Sequence, residues 1–174
     1  MHLNVPQAIE ISRRNIKKSR YNDIFLIEKA ISDKIGVLDF YAVDSKKSSN
    51  IGASSLFQHS EKNYDKDYNK IKVKSITLKS WIKKEKIKDI DMLWIDIQGA
   101  ELKALKGLGN EIKKIKFICT EVKYEEMYIN QPLFEDIDKY LSSKGFNVQK
   151  VLYEACDKTY GVILYLNSAL LIDN

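Results

Sequence analysis

The stretch "LWIDIQGAELKALKGL", Leu93 to Leu108, decides how this chain is read. A run of strand formers ends at Asp96. The Gln98-Gly99 pair reads as a tight turn, and a helical pattern starts at Ala100 and runs to about Leu108. A buried strand delivered straight into an amphipathic helix is the repeating unit of an α/β domain. Two carboxylates, Asp96 and Glu101, flank the turn.

The pattern continues outward in both directions. Upstream, Gln7 to Arg20 reads as a helix, with Ala8, Ile9, Ile11 and Ile16 apolar and Arg13, Arg14, Lys17, Lys18 and Arg20 polar. "DIFLIEKAIS", "GVLDFYAV" and "IKVKSITL" read as strands. A polar segment from Asp44 to Lys70 separates the last two and reads as a long loop, within which His59 reads as a surface residue. "LKSWIKKEKI" reads as a short helix before the Leu93 strand. Downstream, "IKFICTEV" reads as another buried strand. Pro132 to Lys144 then reads as a helix, with acids in its first turn and Gly145 just past its end. "FNVQKVLYEA" and "YGVILYLN" close the chain as an antiparallel hairpin. Buried strands alternating with amphipathic helices predict a mostly parallel sheet in a single α/β domain over residues 1–174.

Composition agrees. In 174 residues, 44% are hydrophobic and 30% charged, enough for one core and typical of globular chains. No run of about 18 apolar residues is present, and "MHLNVPQAIEISRRN" lacks an apolar signal region, so the expectation is a cytoplasmic chain without a membrane span. The +5 charge is spread over lysines mixed with acids, a solvated surface more than a nucleic-acid footprint. Cys119 reads as a buried, unreactive thiol, and no Cys/His spacing points to zinc.

In open α/β sheets, ligands bind beyond the carboxyl ends of the strands. Asp96 and Glu121 both lie at such ends, and Glu101 enters from the first turn of the next helix. Each acid alone reads as well as a helix cap. Three at successive strand ends read as a site. Tyr124 and Tyr128 follow Glu121 closely enough to line it.

Asp96, Gln98, Gly99, Glu101, Leu105 and Gly107 resemble the strand-Asp-x-Glu/Gln-Gly-x-Glu-helix signature of the FkbM family of S-adenosylmethionine-dependent methyltransferases. "RRNIKK", "KAISDKIGVLDFY", "ASSL", "VKSITLKSWI", "FICTEVKYEEMY" and "YLSSKGF" resemble further family segments in the same order, over nearly the whole chain. One part departs from the family. Its Gly-rich first strand, and the second strand ending in a ribose-binding acid, have no counterpart here; Leu3-Asn4-Val5-Pro6 stands where the family has Glu-Pro-x-Pro.

The resemblance implies a Rossmann-like class I methyltransferase sheet, of usual order 3-2-1-4-5-7-6, lacking strands one and two at the N-terminal side. It implies methyl transfer from S-adenosylmethionine to a hydroxyl oxygen of a small molecule or glycan. It places Asp96, Glu101 and Glu121 as catalytic residues. Ala30, Ile31, Asp96, Ile97 and Gln98 would lie beside the cofactor, and Ser54, Ser55, Gln98 and Tyr124 beside the acceptor. The "FLIEKAIS" strand either pairs beside "DMLWIDI" directly, or another segment, copy or chain completes the sheet. The rival expectation is a catalytically inactive remnant that binds a partner or nucleic acid.

Overall fold

A computed structural model describes residues 4–44, 46, 50–60 and 68–171. Helix α1 (Asn4–Lys18) is followed by strands β1 (Ala30–Ile31) and β2 (Gly36–Val43), a 3-10 turn at Ile51–Ala53, and β3 (Tyr68–Ile76). Helix α2 (Leu78–Lys84) leads to β4 (Ile90–Ile95), α3 (Glu101–Lys106), a 3-10 turn and β5 (Ile115–Lys123). Then come α4 (Phe134–Ser142), β6 (Phe146–Glu154) and β7 (Tyr160–Asn167). Helix α1 therefore begins earlier than the pattern from Gln7 suggests. His2 and parts of the long polar segment lie outside the described residues.

The elements have local causes. Thr77 caps α2 by accepting a bond from the Ser80 amide at 3.1 Å. In α4, Asp136 accepts from the Leu133 amide at 3.1 Å, and Ile137 and Leu141, one turn apart, are buried. Gly145, at φ 85, occupies the left-handed position that a residue with a Cβ adopts at a cost. β5 is buried from Ile118 through Lys123, the pattern of a central strand covered on both faces.

The strands form two sheets, in orders β1-β3-β2 and β4-β5-β7-β6. β1 and β3 are parallel, as are β4 and β5; β2–β3, β5–β7 and β6–β7 are antiparallel. The expected mostly parallel sheet is thus corrected to two mixed sheets. The C-terminal hairpin is present, with register shifts along β6. β1 does not pair beside β4, so each sheet ends where that pairing would have joined them. The expected strand "DIFLIEKAIS" shrinks to its last two paired residues. Among the described residues its apolar run pairs with no other strand, and Ile24, Phe25, Leu26 and Ile27 stand exposed, Phe25 by 81%. Met92 and Trp94 on β4 are exposed as well.

The main core lies where α3 and α4 cover one face of the larger sheet. Leu105, Leu108, Ile118, Ile137, Leu141 and Phe146 are almost fully removed from water there. Each such side chain contributes about 1.5–3 kcal/mol by burial. The smaller sheet joins this core at one close approach. A Cβ on Gly107 would lie 2.3 Å from the Ser32 carbonyl oxygen, just beyond β1, so only glycine fits. The Lys79 amide also donates to the Gly107 carbonyl at 3.1 Å. Among the described residues no helix is long and apolar enough to cross a membrane. Cys119 is buried and Cys156 exposed, both free thiols.

Candidate active site at the ends of β4 and β5

Because β4 and β5 are parallel neighbours, their carboxyl ends open on the same side. Ile95 pairs in register with Thr120, so Asp96 and Glu121 follow as the next pair. The Gln98 amide joins them: its Nε2 donates to Asp96 Oδ1 at 2.7 Å and to Glu121 Oε2 at 3.2 Å. The Tyr128 hydroxyl donates to Gln98 Oε1 at 3.0 Å. One amide thus reads two carboxylates and a phenol. It fixes three side chains from three segments.

The turn that aims Gln98 is strained and braced. Gln98 and Gly99 both have positive φ, 52° and 91°. For a residue with a Cβ the left-handed region costs roughly 1–2 kcal/mol. Glu101 holds the turn: its Oε1 accepts from the Ile97 amide at 3.0 Å and the Gly99 amide at 3.2 Å. Ser55 adds a bond from its hydroxyl to the Gln98 carbonyl, 2.5 Å. At Gly99 a Cβ would meet Tyr128 at 3.2 Å and Gln131 at 3.4 Å.

A cavity of about 400 Å³ opens over these groups, lined by Asn50, Gly52, Ala53, Asp96, Gln98, Glu121, Lys123, Met127, Tyr128 and Tyr160. Lys123 is 4% exposed and lies two residues after Glu121 on the same face of β5. Its Nζ sits 2.9 Å from Glu121 Oε2 and 4.6 Å from the centre of the Tyr160 ring, its cross-strand neighbour on β7. Burial raises the Glu121 carboxyl above the usual carboxylate range, with Lys123 pulling the other way. Burial pushes Glu101 up to about 7, against the backbone bonds it accepts.

The expected site residues divide. Asp96, Gln98 and Glu121 line the cavity together. Glu101 faces the backbone of its own turn instead, and Ile97 packs against the core. Ser55 is fully buried and committed to Gln98. The Ser54 hydroxyl donates to the Ile51 carbonyl at 2.8 Å and accepts from the Val43 amide at 3.0 Å. Tyr124 packs its ring on Phe134, 5.7 Å between centres, while Tyr128 reaches the cavity. Ala30 borders a separate groove of about 360 Å³ with Ile9, Leu26, Ile27, Phe40 and Val73, and Ile31 packs against the core.

His59 is not the surface residue expected. It is 2% exposed, its ring centre lies 4.5 Å from that of Tyr128 at a 44° tilt, and its Nε2 lies 2.7 Å from the Ala53 carbonyl. A carbonyl only accepts, so Nε2 carries the proton. The residues that sequence reasoning passed over are Lys123 and Tyr160. Their signal was present: a two-residue step from Glu121 along a strand returns to the same face.

A family model described as the methyltransferase FkbM domain matches residues 4–148. The 2-O-methyltransferase NoeI of Sinorhizobium fredii (strain NBRC 101917 / NGR234) is 30% identical over 112 residues, covering 61% of this chain and 46% of that protein. The chain therefore spans less than half the length of this relative. No solved structure matches the chain. With the Asp96-to-Glu101 signature folded as a braced turn at a strand end, and the family model matched across residues 4–148, the chain belongs to the FkbM methyltransferase family.

Proposed function

We propose that this chain carries the acceptor side of an S-adenosylmethionine-dependent O-methyltransferase, acting on a hydroxyl of a small molecule or glycan. The observation that carries the reading is the shared hold of Gln98 on Asp96 and Glu121 at the ends of two adjacent parallel strands. The order β4-β5-β7-β6 supports it, being the 4-5-7-6 part of the sheet order the family resemblance implies. The name of the related 2-O-methyltransferase supports an oxygen acceptor.

The donor set suits a sulfonium. Two carboxylates and one lysine leave the cavity with an excess of negative charge, which favours a cation. Asp96 and Gln98 would hold the charged end of the cofactor. The apolar groove bordered by Ala30 would take the flat adenine. Bound S-adenosylmethionine supplies an electrophilic methyl group. The protein's own part is to hold an acceptor hydroxyl between Asp96 and Glu121 and to take its proton on a carboxylate as the methyl–oxygen bond forms. Holding the reactants in line contributes about 7–11 kcal/mol in well-ordered sites. Asn50, Tyr128 and Tyr160 line the space an acceptor ring would fill.

Asp96→Ala is expected to abolish turnover while leaving the fold unchanged, measured as radiolabelled methyl incorporation into hydroxyl acceptors. Turnover within twofold of the parent would remove Asp96 from the reaction. One observation favours a second reading, a binding domain without turnover: the groove beside Ala30 and the cavity over Asp96 are separate spaces. Calorimetric titration with S-adenosylmethionine decides between them. Micromolar binding supports the enzyme, and no heat from a folded chain supports the binding domain.

A further inference from the structure

Glu121 has two carboxylate oxygens in different situations. Oε2 receives both Lys123 Nζ at 2.9 Å and Gln98 Nε2 at 3.2 Å. Oε1 has no partner among the described residues, and Glu121 lines the cavity. The lysine that makes this asymmetry is unusual in being buried. Its side chain is 5% exposed, and its ammonium rests over Tyr160. Taking a lysine out of water is costly unless it is paired. Here its ion partner is the carboxylate at the site, not a surface acid.

The surroundings explain why a cation is needed. Asp96 approaches Glu121 from the end of β4, close enough to share one amide donor. Burial raises Glu101, on α3, to about 7, and its bond with Tyr153 raises the Tyr160 hydroxyl, on β7, to about 12, so the charge beside Lys123 comes chiefly from Asp96 and Glu121. Lys123 is the cation among these groups. Two neighbouring carboxylates resist ionising together, and a cation in contact favours the charged form.

We infer that Lys123 is the positioning residue for Glu121: with Gln98 it occupies Oε2 and so turns Oε1 toward the acceptor hydroxyl. This rests on the proposed methyl transfer. In the step itself the acceptor oxygen bonds the methyl carbon, the carbon–sulfur bond breaks to leave a thioether, and the hydroxyl proton passes to Oε1. Lys123 touches neither methyl nor acceptor. It opposes the rise that burial imposes on the Glu121 carboxyl and holds that carboxyl rotationally in a partly dry pocket. Loss of one charge-assisted hydrogen bond of this kind corresponds to about a tenfold to hundredfold change.

The test replaces Lys123 by Met, and in parallel by Gln, which keeps a donor without the charge. Carbon-detected NMR follows the Glu121 carboxyl against pH in the folded chain, and methyl transfer is measured over the same range. Glu121 is expected to titrate at higher pH in both variants. kcat is expected to fall at least about tenfold at neutral pH and to recover toward alkaline pH, with KM for the acceptor little changed. Lys123→Arg should restore most of both. An unmoved Glu121 titration in a folded variant, or a kcat lost equally at every pH, overturns the inference. So does a folded Lys123→Arg in which the Glu121 titration departs from the parent's or kcat stays low at neutral pH, the arm that decides should both neutral variants fail to fold. Glu121→Gln separates this from the broader reading. Full activity in that variant removes Glu121 as the proton acceptor, whereas the NMR arm reports on Lys123 regardless of turnover.

Discussion

Glu101 spends its carboxylate on two amides of its own turn, and burial drives it up to about 7. Between its ordinary value of 4.5 and that figure, the folded chain keeps a proton the unfolded chain releases. Stability is therefore greatest below that window and declines as pH rises through it. For this group alone the decline amounts to about 3 kcal/mol. Glu121, also raised, adds a component of the same sign. Glu101→Gln, isosteric with the protonated acid, should flatten most of the slope and exceed the parent's stability at pH 8. Urea melts at pH 5 and pH 8 check this, and an unchanged slope would sink it. At this scale the sequence was informative about Asp96, Gln98 and Glu121, because a strand-end acid is a readable position. It was ambiguous about Glu101, whose cap and site readings only geometry separates. The family resemblance implies Ser54, Ser55 and Tyr124 beside the acceptor, and here their contacts go to backbone and core.

Among the elements, the short contact between α3 and the end of β1 governs how the two sheets meet. Gly107 leaves 2.3 Å between a hypothetical Cβ and the Ser32 carbonyl oxygen, a backbone atom that cannot swing aside. Gly107→Ala should cost about 1–3 kcal/mol through overpacking. It should loosen β1 and β3 before the core of β4, β5 and β7. Hydrogen exchange resolved by residue tests this: protection should fall first at Ile31 and Ser75. Uniform loss over both sheets would contradict it. Helix α4, the C-terminal hairpin and the buried strand β5 were legible because their patterns are local. The strand at 23–32 was not, because pairing depends on a neighbour and periodicity does not report whether one is present. Among the described residues Ala30 and Ile31 pair with β3, and the Ser32 amide follows by donating to the Ile76 carbonyl.

At the scale of the whole molecule, α/β character was readable while sheet polarity was not. Alternating strands and helices suggest parallel pairing, but two of the elements counted as sheet members, β2 and β3, pair antiparallel in the separate sheet they form with β1. What separates the sheets is the unpaired side of β4, where Met92 and Trp94 are 52% and 61% exposed. An open edge with apolar side chains is a template for pairing. Sedimentation velocity should show association of this chain that rises with concentration, and Trp94→Lys should suppress it. A monomer at all concentrations, with and without the substitution, would contradict this. The same edge carries its own optical label. An indole so open to water emits at long wavelength and is quenched by iodide, while Trp81, the second tryptophan, lies half-buried beside the core. Any strand that docks on β4 should shift the emission toward the blue and shield it from iodide, so completion of the sheet can be followed by light alone, without tag or substrate.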